Sequence, residues 1–338
     1  MFSHNPKIFD SSTVLITGGT GSFGGKFARY ILENANPKKV IIFSRDEFKQ
    51  YEMEQRFLDH PSFSKLRFFL GDVRDRDRLN MAFREVDYVV HAAALKQVVA
   101  AEYNPFEFIK TNVIGAENIV NAALANGVKK VVALSTDKAA NPINFYGTSK
   151  LASDKIFVAA NSLSGNQDTT FSVVRYGNVM GSRGSVLPLF QRLISEGVKE
   201  LPITDDRMTR FWITLTQGIE FVISSFEMMH GGELFVPKIP SMKVTDLAKV
   251  LAPDLPHKII GIRPGEKIHE TMVTADDARL TLEMDDRFII MPVYKSKSDF
   301  CQNYKDVAKY VPEDFSYSSD NNTWWLNEAE LLEMIEEV

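Results

Sequence analysis

The chain has 338 residues, 44% hydrophobic and 25% charged, which is ordinary for a globular enzyme and long enough for two domains or for one with a large appendage. Its net charge of -5 gives no clustered basic surface for nucleic acid. One cysteine, Cys301, excludes an intrachain disulfide framework and the usual thiolate zinc sites, and no run approaches the roughly 20 apolar residues that cross a bilayer. The opening residues lack a signal-peptide core. These features predict a soluble cytoplasmic protein with no metal, no nucleic acid and no membrane among its partners.

Residues 13–17, Thr-Val-Leu-Ile-Thr, read as a short apolar strand, followed by Gly18-Gly19-Thr20-Gly21-Ser22-Phe23-Gly24 and the helical pattern Phe27, Ile31, Leu32. Strand, glycine turn and helix in that order favour a dinucleotide site over a structural turn. Gly18 permits the tight turn, Gly21 lets a pyrophosphate approach the backbone N–H groups around Thr20, Ser22 and Phe23, and Gly24 allows close helix–strand packing. Residues 40–43 are the second strand, with Ser44-Arg45-Asp46 at its tip and Lys49 beyond. A carboxylate there holds the ribose 2′-OH of NAD, whereas an Arg accommodates a 2′-phosphate. Hydroxyl and guanidinium lead here, which favours NADP; Asp46 keeps NAD open.

Residues 67–70 form the third strand. Asp72, next to Val73, either reaches an adenine edge or caps the helix that follows. The fourth strand runs from residue 87 into Ala92, Ala93 and Ala94, small enough for a ligand to lie against the backbone. Lys96 then faces cofactor, substrate or solvent. Phe106, Ile109, Val113, Ala116 and Ile119 recur at helical spacing and mark a core stripe. The fifth strand, residues 130–135, delivers Ser135-Thr136-Asp137-Lys138 to its carboxyl end, where an open α/β sheet places its chemistry. A turn at Asn141-Pro142 leads to a helix with Tyr146 and Lys150 four residues apart, hence on one face. An ammonium beside the phenol lowers a pKa of about 10 and makes Tyr146 a proton acceptor.

Residues 171–176 are a further strand, and the loop 177–186 carries Asn178, Ser182, Arg183, Gly184, Ser185 and Val186, a set suited to an anionic ligand. Thr204, Arg207, Arg263 and Glu266 follow in two later stretches, and Arg grips diphosphates by paired hydrogen bonds. In the polar, aromatic tail the rings pack on the body, or Tyr317, Asn321 and Asn322 meet the ligand.

Together, Thr-Gly-Gly-Thr-Gly-Ser-Phe-Gly, Ser-Thr-Asp-Lys, Tyr146-x-x-x-Lys150, Arg-Tyr-Gly-Asn-Val and Arg-Pro-Gly-Glu-Lys resemble the extended short-chain dehydrogenase/reductase superfamily over nearly the whole chain. Within it the chain is similar to the nucleotide-sugar 4,6-dehydratases, and to their inverting branch, which acts on UDP-N-acetylglucosamine at the head of pseudaminic acid synthesis. The retaining dehydratases carry Asp-Glu where this chain has Asp137-Lys138. The resemblance implies an α/β fold, a doubly wound parallel Rossmann sheet over residues 1–176 rejoined by segments near 210–240. A smaller, mainly nucleotide-sugar-binding domain would span residues 177–338. It also implies a homo-oligomer built from dimers, up to a hexamer.

The implied reaction is a hydro-lyase cycle on oxidised NADP. Tyr146, acidified by Lys150, takes the C4-hydroxyl proton while Ser135 or Thr136 holds that oxygen. Lys138 takes the C5 proton, provided burial near cations depresses its pKa from about 10.4, and Asp137 donates to the departing C6 oxygen. Two other readings are a nucleotide-sugar 4-epimerase and a cofactor-bound regulatory protein without catalysis.

Overall fold

The computed structural model describes residues 2–165, 168–182 and 184–338. Six parallel strands start the sheet: β1 (Thr13–Thr17), β2 (Lys39–Ser44), β3 (Leu66–Leu70), β4 (Tyr88–His91), β5 (Lys130–Thr136) and β6 (Thr170–Tyr176). Their spatial order is β3-β2-β1-β4-β5-β6, so the direction of winding reverses between β1 and β4. All of β1 and all but the first residue of β2 are buried, as continuous apolar runs require when helices cover both faces. The register is unbroken, from Val14 opposite Val40 to Thr136 opposite Tyr176. Ligand sites of such sheets lie beyond the strand carboxyl ends at the reversal.

The chain returns to this sheet within residues 210–240 and again farther along. Leu234–Pro237 pairs in parallel with β6; Arg287–Ile290, Thr281–Glu283 and Lys309–Tyr310 then extend the edge in antiparallel fashion. The main core accordingly draws on Phe221, Phe235, Phe288 and Tyr317 as well as on β1–β6. A second apolar cluster, with Leu187, Phe190, Trp212 and Leu247, forms beside it.

The helical stripe beginning at Phe106 is only partly core: Ala116 and Ile119 are buried, but Phe106 is 73% exposed. Residues Ile109–Ile114 form a π-helical stretch, whose wider turn shifts the phase of the stripe so that Phe108, not Phe106, is buried ahead of it. The same stretch turns Asn112 inward, where it bridges Leu95 and the Ser149 hydroxyl at 2.9 Å each. Among the described residues no helix is long and apolar enough to cross a membrane, and no His, Cys, Asp and Glu cluster would hold a metal.

Candidate active site

A cleft of about 1100 Å³ runs along the carboxyl ends of the strands and on into the second cluster. At one end, helix α1 (Ser22–Asn34) begins at Gly21 with no side-chain cap, leaving its first N–H groups for an anion. Gly18 has φ +65°, and a Cβ on it would lie 2.9 Å from the Ala93 Cα; on Gly24 it would lie 2.6 Å from the Gly19 Cα. Both glycines are therefore required for the close approach that a dinucleotide cradle needs. Thr20, Ser22, Phe23, Ala92 and Val73 line the same end. The residues present fit a dinucleotide.

At the tip of β2, Asp46 is committed to capping the next helix: its carboxylate accepts from the Lys49 N–H at 3.0 Å and pairs with the Lys49 ammonium at 3.1 Å. Gln50 holds the Ser44 hydroxyl at 2.9 Å. Arg45 stays half exposed on the cleft, 3.6 Å from Asp72. Asp72 turns to Arg74 at 2.8 Å and does not line the cleft, and the cap of the following helix is Asp75 rather than Asp72. A carboxylate with a guanidinium two residues away satisfies itself locally.

At the centre lies the end of β5. The helix Phe145–Ala160 starts at Asn144, whose Oδ1 accepts from the Gly147 N–H at 2.7 Å. A Cβ on Gly147 would overlap the Lys138 carbonyl, so only glycine lets this helix sit directly on the strand end. That contact carries Tyr146 over Thr136 and Lys138. Thr136 donates to Asp137 Oδ1 at 3.0 Å. Lys138 Nζ lies 3.0 Å from the same oxygen and 3.2 Å from Glu270 Oε1, and Arg210 approaches Glu270 at 3.9 Å. Asp137 and Glu270 are almost wholly buried, and each keeps one oxygen without a hydrogen-bond partner among the described residues.

Two expected shifts run the other way. Burial pushes the Tyr146 phenol up to about 12; the Lys138 ammonium and the Thr136 hydroxyl pull it down without cancelling that, and Lys138 is the cation that pulls hardest. Lys138 was expected to be depressed. Burial does work in that direction, but Asp137 and Glu270 outweigh it and hold the amine protonated, well above its ordinary value. Lys150 is lowered by burial, opposed by Asp154. Ser135 donates to Asp154 at 2.8 Å and so is committed beneath Lys150. Burial drops His91 to about 3, leaving a neutral ring hydrogen-bonded to the Thr17 hydroxyl at 2.8 Å.

On the far side of the cleft stand Asn178, Ser182, Gly184, Ser185, Val186, Thr204, Arg263 and Glu266, with Lys96 between the halves. Arg183 lies outside the described residues. The Arg263 loop is tied down by Asn144 Nδ2 to the Gly265 carbonyl at 2.8 Å, by Lys267 to the Ala140 carbonyl at 2.7 Å, and by Arg210 to the Lys267 carbonyl at 2.9 Å. Four expected ligand residues do not reach the cleft. Arg207 folds back on Asp205 at 2.8 Å. Tyr317 is buried with its hydroxyl on the Ile239 backbone, Asn321 bonds Ser316 and Ser318, and Asn322 bonds Ile239 and Ser241. The tail holds the second cluster to the sheet instead.

Sequence reading missed Glu270, Arg210, Asp154 and Asn112. Glu270 carries a signal, a carboxylate placed directly before the apolar strand Thr271–Val273.

Residues 14–292 match the family described as polysaccharide biosynthesis protein. A Campylobacter jejuni protein named UDP-N-acetylglucosamine 4,6-dehydratase (inverting) is 59% identical over 332 residues, 97% of this chain and 98% of that one. A Rickettsia typhi protein named UDP-glucose 4-epimerase is 42% identical over 335 residues, 97% and 96% of the two chains. The solved structure of Pen from Bacillus thuringiensis is 38% identical with a TM-score of 0.87, covering 97% of this chain and 98% of that one.

Proposed function

We propose that this chain, which belongs to the polysaccharide biosynthesis protein family, is a C5-inverting UDP-N-acetylglucosamine 4,6-dehydratase working with a nicotinamide cofactor. The observation that carries this reading is Lys138, which lines the cleft together with Tyr146 and pairs at 3.0 Å with the fully buried Asp137 behind it. A 4-epimerase needs the tyrosine but has no use for a second acid–base pair. Incubation with UDP-N-acetylglucosamine in deuterated water tests it: a product lighter by one water and labelled at C5 supports dehydration. A product of unchanged mass would make the chain an epimerase, like its Rickettsia relative. We also read the product as the start of pseudaminic acid synthesis, and the enzyme as a cytoplasmic homo-oligomer, on resemblance alone.

NADP is the cofactor we favour over NAD, since Asp46 is spent on a helix cap while Arg45 stays open on the cleft. Arg45→Ala should weaken NADP binding by about 10- to 100-fold, the worth of one charged hydrogen bond, and leave NAD nearly unchanged. Calorimetric titration with both dinucleotides checks this, and equal losses for the two would return the choice to NAD.

Oxidised NADP supplies the acceptor for the C4 hydride and its return to C6; the protein moves the protons. Tyr146 takes the C4-hydroxyl proton. Between Asp137 and Lys138, one proton crosses a 3.0 Å hydrogen bond and turns a buried ion pair into neutral carboxyl and amine. The amine then takes the C5 proton, which the new ketone has made acidic, and the carboxyl protonates the departing C6 oxygen. The pair ends as it began, ammonium and carboxylate. Tyr146 holds the one proton still unassigned, and its transfer to the opposite face of C5 balances the reaction and inverts that carbon.

Arg263 and the loop around Asn178 would hold the UDP diphosphate. Arg263→Ala should raise the KM for the sugar nucleotide by about 10- to 100-fold while NADP stays bound. Steady-state kinetics with a cofactor-retention assay checks this, and loss of NADP first would reassign the residue.

A further inference from the structure

Glu270 stands about 130 positions along the chain from Lys138, yet its carboxylate lies 3.2 Å from that ammonium. It is 2% exposed, it lines the cleft, and its second oxygen has no hydrogen-bond partner among the described residues. Burying an anion this way is costly unless a cation answers it. The cations facing it are Lys138, Arg210 from the strand Thr209–Ile213, and Lys267 from the Arg263 loop. Neighbouring His269 faces away, toward the Thr209 hydroxyl at 2.8 Å. Lys138 in turn faces Asp137, Glu270, Arg210, Lys267 and the Tyr146 phenol.

We propose that Glu270 is a positioning residue for dehydration, fixing Lys138 Nζ against Asp137 and keeping one proton on that pair. This rests on the dehydratase reading. Its logic is that of a buried carboxylate behind a catalytic base, which orients the base and stabilises its charged form. When Lys138 accepts the C5 proton, the C–H electrons pass into the enolate of the C4 ketone. Asp137 is then neutral, so Glu270 is the carboxylate that meets the new ammonium. Without it, the pair loses its proton at lower pH, and no acid remains for the C6 oxygen.

Glu270→Gln keeps the shape and removes the charge. In the full-length enzyme with NADP, water loss from UDP-N-acetylglucosamine should gain a falling alkaline limb at least about one pH unit below that of the wild type, as removal of an opposite charge within 4–6 Å implies. At the alkaline end this is a further loss of about tenfold. At neutral pH, where the pair keeps its proton, KM for the sugar nucleotide and the transient reduced-cofactor absorbance of C4 oxidation should change less than about twofold, and Glu270→Asp should move the limb back. A profile superimposed on the wild type overturns the proposal, as does a loss of C4 oxidation in step with dehydration. If Glu270→Gln does not fold, Glu270→Asp alone decides, by a limb intermediate in position or one unmoved. A wild-type enzyme that releases no water would instead sink the dehydratase reading.

Discussion

Lys138→Met should abolish dehydration, with a loss of about 10³-fold or more, while oxidation at C4 persists. Removal of a positioned acid or base costs about 10²- to 10⁴-fold, and this substitution removes the base and the proton that Asp137 would donate. Reduced cofactor should then accumulate on mixing with UDP-N-acetylglucosamine, seen as absorbance that rises and does not decay, with no C5 deuterium in the recovered sugar. Normal C5 exchange in the variant would take the base role from Lys138. The variant also strips Asp137 and Glu270 of a cation that both contact within 3.2 Å. Removing one partner from a buried ion cluster costs about 3–5 kcal/mol. Thermal melts separate this effect from the catalytic one.

The parts of this site that could be read from the chain are those in which short spacing sets geometry. Gly18, Gly21 and Gly24 sit within one strand-turn-helix unit; Gly21 and Gly24 meet only its own backbone, and Gly18 turns with a positive φ, although it is also pressed by Ala93 from the end of β4. Tyr146 and Lys150 share a helix face because they are four residues apart. Expectations failed where geometry depends on residues far away in sequence. Lys150 is near Tyr146 in the chain, but Lys138 is the cation that pulls hardest on the phenol. Lys138 looked like a candidate for depression, but Asp137 beside it and Glu270 from far along the chain together outweigh burial. Arg207 and Arg210 were equally plausible on composition. The clue lay in their neighbours: Asp205 satisfies Arg207 two residues away, whereas Arg210 lies within a wholly buried strand and must find carbonyls and a carboxylate inside. The tail misled for the same reason, since Tyr317 and Asn322 answer buried backbone groups at Ile239.

Tyr146→Phe should cut the whole reaction by about 10²- to 10⁴-fold, and unlike Lys138→Met it should stop it before any cofactor is reduced. The hydroxyl is all that is lost; the ring keeps its edge contact with Phe108, so cofactor and substrate should still bind. The pH dependence identifies the group. With the phenol raised to about 12 by burial, it is fully protonated near neutrality. The proton-accepting form is the phenolate, so the wild-type rate of C4 oxidation must rise with pH. The positive charge that an oxidised nicotinamide brings should place that limb below the titration of the cofactor-free protein. In Tyr146→Phe the limb should vanish. In Lys138→Met it should move to higher pH, because the cation that lowers the phenol is gone, and Lys150→Ala should shift it less. Stopped-flow reduction of bound cofactor across the alkaline range measures all three, and a limb that survives in Tyr146→Phe would assign the C4 proton to another group.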